Sequence, residues 1–288
     1  MKIKNVTVVG TGLMGRQIAL NSAISGFNTV LASRNEKSAA SVAEWINTYL
    51  EGRISKGRMT EDEVNAAKSR LSIDTSYENA VKNADLIIEA IPEEISLKRD
   101  LFELVEKAAP KEAIVATNSS FMVSSLFADC FEDPSRLCNL HYYNPALVMK
   151  FVEIVRGPHT SQETVDTVKE FCELCGKLPS VMYKEIPGFI ANYIIVGIYE
   201  KVWDLVDNGY CDWQAVDNAC ENGLGHPMGP FRLMDLTGID LAFGIRETEF
   251  KRTGVKPPGY DFLKEYYDKG HYGRKTGQGF YNYEKESN

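Results

Sequence analysis

The sequence holds no apolar run approaching the roughly 20 unbroken residues that a membrane span needs, so no membrane association is expected. Cysteine is scarce and scattered: six in 288 residues. That excludes a disulfide framework and points to a reducing, cytoplasmic setting. Cys172 and Cys175 form a single CxxC in a helix-like stretch. No second pair completes a zinc site, so both read as structural and no metal is expected. Basic residues are outnumbered, 32 lysines and arginines against 40 aspartates and glutamates, for a net charge of −8. Such a surface repels phosphate backbones, which argues against nucleic acid as a partner. An anionic ligand must then find a local basic patch. Internal repeats and low-complexity tracts are absent. Residues 1–9 carry two lysines, but their apolar run ends at once in a glycine turn, the pattern of a first strand rather than a signal peptide. The sequon Asn118-Ser119-Ser120 has no secretory context and is discounted.

What is present is ordinary globular material, 44% apolar and 25% charged, enough for a real core. Apolar, largely β-branched runs at 3–9, 29–32, 85–90, 113–117, 137–141, 151–155 and 180–183 read as strands. Helical spacing covers 13–25, 35–52, 60–68, 94–108 and 161–175. The third of these opens with the capping-box pattern Thr60-x-x-Glu63. Strands separated by helices imply a mostly parallel sheet with helices on both faces. The character changes at Ile186-Pro187-Gly188. Beyond it, 189–206, 212–221, 231–250 and 260–269 all read as helices. Two domains are expected, 1–186 and 187–288, the second all-α. The stretch 189–205 is apolar on more than one face, which suits a core or a subunit interface.

The first strand ends in Gly10-Thr11-Gly12-Leu13-Met14-Gly15, and a helix follows. A bare GxGxxG is weak evidence, but between a strand and a helix it is strong. The first glycine allows the tight turn, the second lets backbone approach a pyrophosphate, and the third lets helix and strand pack closely. This predicts a Rossmann-type, doubly wound α/β domain that binds a dinucleotide. In an NAD site the second strand ends in an acid that bonds the ribose 2′-hydroxyl. Here it ends Leu31-Ala32-Ser33-Arg34-Asn35. A serine can hydrogen-bond a 2′-phosphate and an arginine can pair with it, so NADP is favoured over NAD. The alternative is an NAD site in which Arg34 merely covers the adenine.

Ligands of open α/β sheets sit beyond the C-terminal strand ends. That places Ser119, after 113–117, and His141, at the end of 137–141, for chemistry. Histidine titrates near neutrality and can exchange a proton with a hydroxyl while hydride moves to a nicotinamide. Glu153 lies inside an apolar strand, where a carboxylate needs a reason; pairing with His141 supplies one. On residue type alone, a purely structural strand histidine stays open.

Several motifs occur in order: Gly10 to Gly15, Thr117-Asn118-Ser119-Ser120, His141-Tyr142-Tyr143-Asn144-Pro145, Val148 to Glu153, Pro187-Gly188-Phe189-Ile190-Ala191-Asn192, His226 to Pro230 and Gly273 to Tyr281. Together they make the chain resemble the L-3-hydroxyacyl-CoA dehydrogenase family, especially its short 3-hydroxybutyryl-CoA members. The resemblance implies an enzyme, an NAD(P)-dependent oxidoreductase of fatty acid or butyrate metabolism. It implies His141 as general acid and base, Glu153 behind it, and Ser119 and Asn192 on the substrate C3 oxygen. Glu93, Lys98, Ser119, Asn144 and Lys275 match cofactor-lining positions; on their own, Glu93 and Lys98 also suit a solvated helix start. A helical hairpin at about 35–70 would clamp coenzyme A, with Tyr49, Arg53 and Lys56 as contacts and Ser119 near the acyl end. Its basic cluster would otherwise read as a solvated patch. A homodimer is also implied.

The chain departs from the family pattern in places. Ser33 stands where Asp is usual, and Tyr142-Tyr143 where Phe-Phe is usual. Tyr193 follows Asn192 where arginine is common. The segment between Ser120 and His141 reads one residue longer than usual, on an expected surface loop where little effect follows. The expected reaction is interconversion of (S)-3-hydroxyacyl-CoA, notably 3-hydroxybutyryl-CoA, and 3-oxoacyl-CoA with NADP(H). Two alternatives remain: a sibling dehydrogenase of a free hydroxy acid such as gulonate or carnitine, and a non-catalytic, crystallin-like cofactor-binding protein.

Overall fold

The structure, a computed structural model, describes residues 2–283. The chain forms two compact units, one running up to Ile190 and the other from Ala191 onward.

The first unit begins with β1 (Asn5–Val9), α1 (Leu13–Ile24) and β2 (Asn28–Ala32). Two helices follow, α2 (Glu36–Ser55) and α3 (Glu61–Arg70), then β3 (Leu71–Asp74) and a short α4 (Tyr77–Val81). Next come β4 (Leu86–Glu89), α5 (Ile95–Ala108), β5 (Ile114–Thr117), β6 (Leu137–Tyr142), β7 (Phe151–Val155), α6 (Gln162–Leu174) and β8 (Leu178–Met182). The sheet order is β3-β2-β1-β4-β5-β6-β7-β8. Every neighbouring pair is parallel except β6 and β7. Every residue of β4 and β5 is buried, as befits strands covered on both faces. Alternate strand residues feed two cores. Val6, Val8 and Ile88 pack beneath α1 and α2, while Val9, Ile87 and Val115 pack with Phe102 of α5 and Phe127. Cys172 and Cys175 lie in the first of these cores. Burial pushes the Cys175 thiol up to about 12, so these cysteines pack as small apolar groups.

The chain winds outward from β1 through β2 to β3, then returns to β4 on the other side of β1. This reversal opens a crevice beyond the C-terminal ends of β1 and β4. β3 and α4 were not predicted. β3, Leu71-Ser72-Ile73-Asp74, lacks the unbroken apolar run that marks the equally short β4 and β5, and α4 at five residues is too short to show a period.

The second unit is helical: α7 (Ala191–Asp207), α8 (Trp213–Asn218), α9 (Pro230–Thr237), α10 (Ile239–Thr253) and α11 (Tyr260–Asp268). Trp203, Phe231 and Phe280 centre its core, with Trp203 edge-on to Phe231 at 5.0 Å. The single helix expected over 231–250 is two. Gly238 adopts φ 110, which no helix accommodates, and so divides α9 from α10. Within the chain α7 buries only Val202 and Trp203. Only its C-terminal half therefore joins the core, and Tyr193, Ile194 and Val196 near its start are exposed. Among the described residues no helix is long and apolar enough to cross a membrane.

Candidate active site

The glycine turn fills the crevice edge. Gly10 has φ 118, and a Cβ there would meet the Ala90 carbonyl oxygen at 2.4 Å. A Cβ on Gly15 would lie 1.8 Å from the Gly10 oxygen. Both glycines let backbone meet backbone where no side chain fits. Gly12 differs, because a Cβ on it would meet nothing within 4 Å. It caps α1 without any side-chain hydrogen bond. The first N–H groups of α1 are thus left without a side-chain cap at the positive end of the helix dipole. The residues present fit a pyrophosphate.

Beside this turn lies a buried ionic network. Lys98 is 1% exposed, and its ammonium donates to Glu89 Oε1 at 2.6 Å and pairs with Glu93 at 3.3 Å. The reading of Lys98 as solvated is therefore set aside; Glu93 is half-exposed, as a helix-start acid would be. Glu89 is fully buried and also accepts from the Ile91 amide at 2.8 Å and the Thr117 hydroxyl at 2.6 Å. Sequence reasoning missed Glu89. Its signal was that of Glu153, a carboxylate in an otherwise apolar strand.

At the end of β2, Ser33 is completely buried, and its hydroxyl donates to the Asn35 carbonyl at 2.9 Å. It was expected to reach a phosphate, but this bond holds it within the turn into α2. Arg34 is exposed.

His141 and Glu153 are opposite residues of the antiparallel β6–β7 ladder. Opposite residues put both side chains on one face, within reach. Nδ1 of His141 lies 2.8 Å from Glu153 Oε2, with the histidine 4% exposed and the glutamate fully buried. A carboxylate there fixes the proton on Nδ1 and leaves Nε2 as an acceptor.

The hydroxyl at Nε2 belongs to Ser120, at 3.0 Å. This corrects the choice of Ser119. Ser119 is buried, donates to Glu93 and accepts from the Met122 amide at 2.8 Å. It joins the Glu89–Lys98 network instead.

Glu153 gathers more partners than sequence suggested. The Tyr143 hydroxyl donates to Oε2 at 2.8 Å, and the Ile190 amide to Oε1 at 2.9 Å. Phe189 is held at φ 53, uncommon for a bulky side chain. Its ring packs 5.4 Å from His141. The segment after β8 is thus fastened to the histidine pair by a ring and an amide.

The remaining predicted residues are more dispersed. Asn144 is exposed after β6, and Asn192 lies in the first turn of α7. Lys275 donates to Asp240 Oδ2 at 2.6 Å within the second unit. On the α2–α3 hairpin Tyr49 stacks on Trp45 at 5.4 Å, Arg53 is partly buried, and Lys56 caps α2 exposed to solvent.

A phosphate cradle at the switch point of a doubly wound sheet, with a carboxylate-backed histidine at a neighbouring strand end, defines a nicotinamide-dependent oxidoreductase. The chain belongs to the 3-hydroxyacyl-CoA dehydrogenase family. Residues 5–186 match its NAD binding domain and 188–283 its C-terminal domain. A probable 3-hydroxybutyryl-CoA dehydrogenase of Bacillus subtilis is 33% identical over 288 residues, all of both chains. The mitochondrial hydroxyacyl-coenzyme A dehydrogenase of Mus musculus is 36% identical, over 98% of this chain and 91% of that one. Among solved structures, a diketoreductase reported to act on dicarbonyl compounds superposes with a TM-score of 0.90 at 30% identity, covering 98% of this chain and all of the other.

Proposed function

We propose that this enzyme interconverts (S)-3-hydroxyacyl-CoA and 3-oxoacyl-CoA, with 3-hydroxybutyryl-CoA as its substrate size and NADP(H) as its cofactor. The observation that carries this reading is the line from the Ser120 hydroxyl through His141 to buried Glu153. In oxidation, neutral His141 takes the proton of the substrate C3 hydroxyl on Nε2. Glu153 offsets the imidazolium charge that results. Ser120 donates to the C3 oxygen as charge gathers on it. In reduction the imidazolium returns the proton to that oxygen. When bound, the nicotinamide ring takes or supplies the hydride at C3. Asn192 is assigned as a second donor to the C3 oxygen, and Asn144 and Lys275 to the cofactor side, on sequence resemblance alone.

The Gly10–Gly15 cradle suits the pyrophosphate, and the Glu93–Lys98–Ser119 cluster suits the cofactor's ribose and amide end. For NADP the support is the missing carboxylate at Ser33 and the exposed cation of Arg34. Coenzyme A is assigned to the α2–α3 hairpin, where Arg53 and Lys56 offer positive charge on an acidic protein. The diketoreductase likeness favours one second reading, the same chemistry on a free dicarbonyl compound.

The test is reduction of acetoacetyl-CoA and of a free diketone with NADPH and NADH. The proposal expects acetoacetyl-CoA with NADPH to give the highest kcat/KM. It also expects His141→Ala to lose at least about a hundredfold in kcat while still binding cofactor. Preference for the free diketone shifts the substrate reading, preference for NADH refutes the NADP reading, and an active His141→Ala refutes the mechanism.

A further inference from the structure

We propose that Tyr143 is a positioning residue that sets the proton affinity of His141 by sharing its carboxylate. This rests on the role given to His141 above and goes beyond it. One atom, Glu153 Oε2, accepts both the His141 Nδ1 proton and the Tyr143 hydroxyl, each at 2.8 Å. Glu153 is fully buried, so bulk water does not dilute this competition. The phenol's aim is held from two sides. Its ring packs edge-on to the His141 ring at 4.6 Å and against Phe151 at 5.4 Å. Burial and the Glu153 charge raise the phenol far above the ordinary tyrosine range, so it remains a donor throughout the working pH range. Packing alone would be met by phenylalanine, the residue usual at this point of the motif. The hydroxyl is an addition, and it is spent on the histidine's carboxylate.

The physical consequence has a definite sign. A hydrogen bond to a carboxylate stabilises its charge and lowers its basicity. Charge that Oε2 shares with the phenol is less available to the imidazolium. Tyr143 therefore weakens the hold of Glu153 on a protonated His141, relative to a site with phenylalanine. The groups facing the imidazole are Glu153 from β7, Tyr143 just past β6, the Ser120 hydroxyl from the loop after β5, and the Phe189 ring from the segment before α7. Of these, Glu153 supplies the charge and Tyr143 tunes it. A weaker hold on the imidazolium favours neutral His141, the form able to take a proton. It also makes the imidazolium a stronger acid for reduction.

The experiment is a proton NMR titration of the imidazole C–H signals in the full-length protein. Four histidines make this tractable, and His141→Ala identifies the resonance. Tyr143→Phe is expected to raise the His141 pKa by about one unit. The acid limb of kcat/KM for 3-hydroxybutyryl-CoA oxidation should move up in step, with little change at its high-pH plateau. In a Glu153→Gln background, Tyr143→Phe is expected to produce no shift. An unmoved His141 pKa in Tyr143→Phe overturns the inference, as does an equal shift in the Glu153→Gln background. If His141→Ala stays active while the NMR shift appears, the catalytic reading fails and the sharing of Glu153 stands.

Discussion

A methyl group added at Gly12 would point into open space, while one added at Gly15 would sit 1.8 Å from a backbone oxygen. One motif thus carries two kinds of constraint. Gly15→Ala is expected to destabilise the protein by about 3 kcal/mol, since backbone must move. Gly12→Ala is expected to stay within about 1 kcal/mol of the parent. Its cofactor affinity should nevertheless fall at least about tenfold, because the methyl occupies the cradle. Denaturant unfolding and NADPH fluorescence titration check both, and equal stability losses would sink the division. The glycines, His141 and Glu153 were legible because strand, turn and helix periods fix which way each points. Ser119 and Ser120 were not separable by that logic. Alternation assigns faces only while a strand lasts, and β5 ends at Thr117. The turn beyond it is set by Ser119 donating its amide to Thr117 Oγ1 at 3.2 Å and its hydroxyl to Glu93, the second a partner 26 residues away that no local pattern reveals.

Elements were legible in proportion to their length and their punctuation. The capping box before α3 was readable, and it forms. Thr60 Oγ1 accepts the Glu63 amide at 3.2 Å, and the Glu63 carboxylate accepts the Thr60 amide at 2.8 Å. Thr60→Ala is expected to weaken α3 by about 1 kcal/mol. Faster amide hydrogen exchange confined to residues 61–70 is the measurement, and unchanged exchange there counts against the cap. Gly238 carries no such punctuation. An isolated glycine in a helical pattern reads as tolerated, and only its φ of 110 reveals a break.

At the scale of the molecule, sequence set the domain change at Ile186-Pro187-Gly188, whereas the first unit runs on to Ile190. The Phe189 ring and the Ile190 amide explain those extra residues, since they are fastened to His141 and Glu153. The apolar residues near the start of α7 lie outside the core among the described residues, with Tyr193 60% and Ile194 56% exposed. A homodimer through this face is the expected assembly. Light scattering should give twice the mass of one chain, and Ile194→Glu should give a single chain. A monomeric parent at the same concentration would refute it.

The β6–β7 ladder also bears on how such an enzyme can diversify. The rungs set the distance between His141 and Glu153, so the loop of residues 144–150 that joins the strands is not needed to hold it. That loop can lengthen, shorten or change composition without altering the register. A single insertion inside either strand would turn the histidine to one face and the glutamate to the other. The connection between the strands can thus diverge while the proton-transfer pair stays in place.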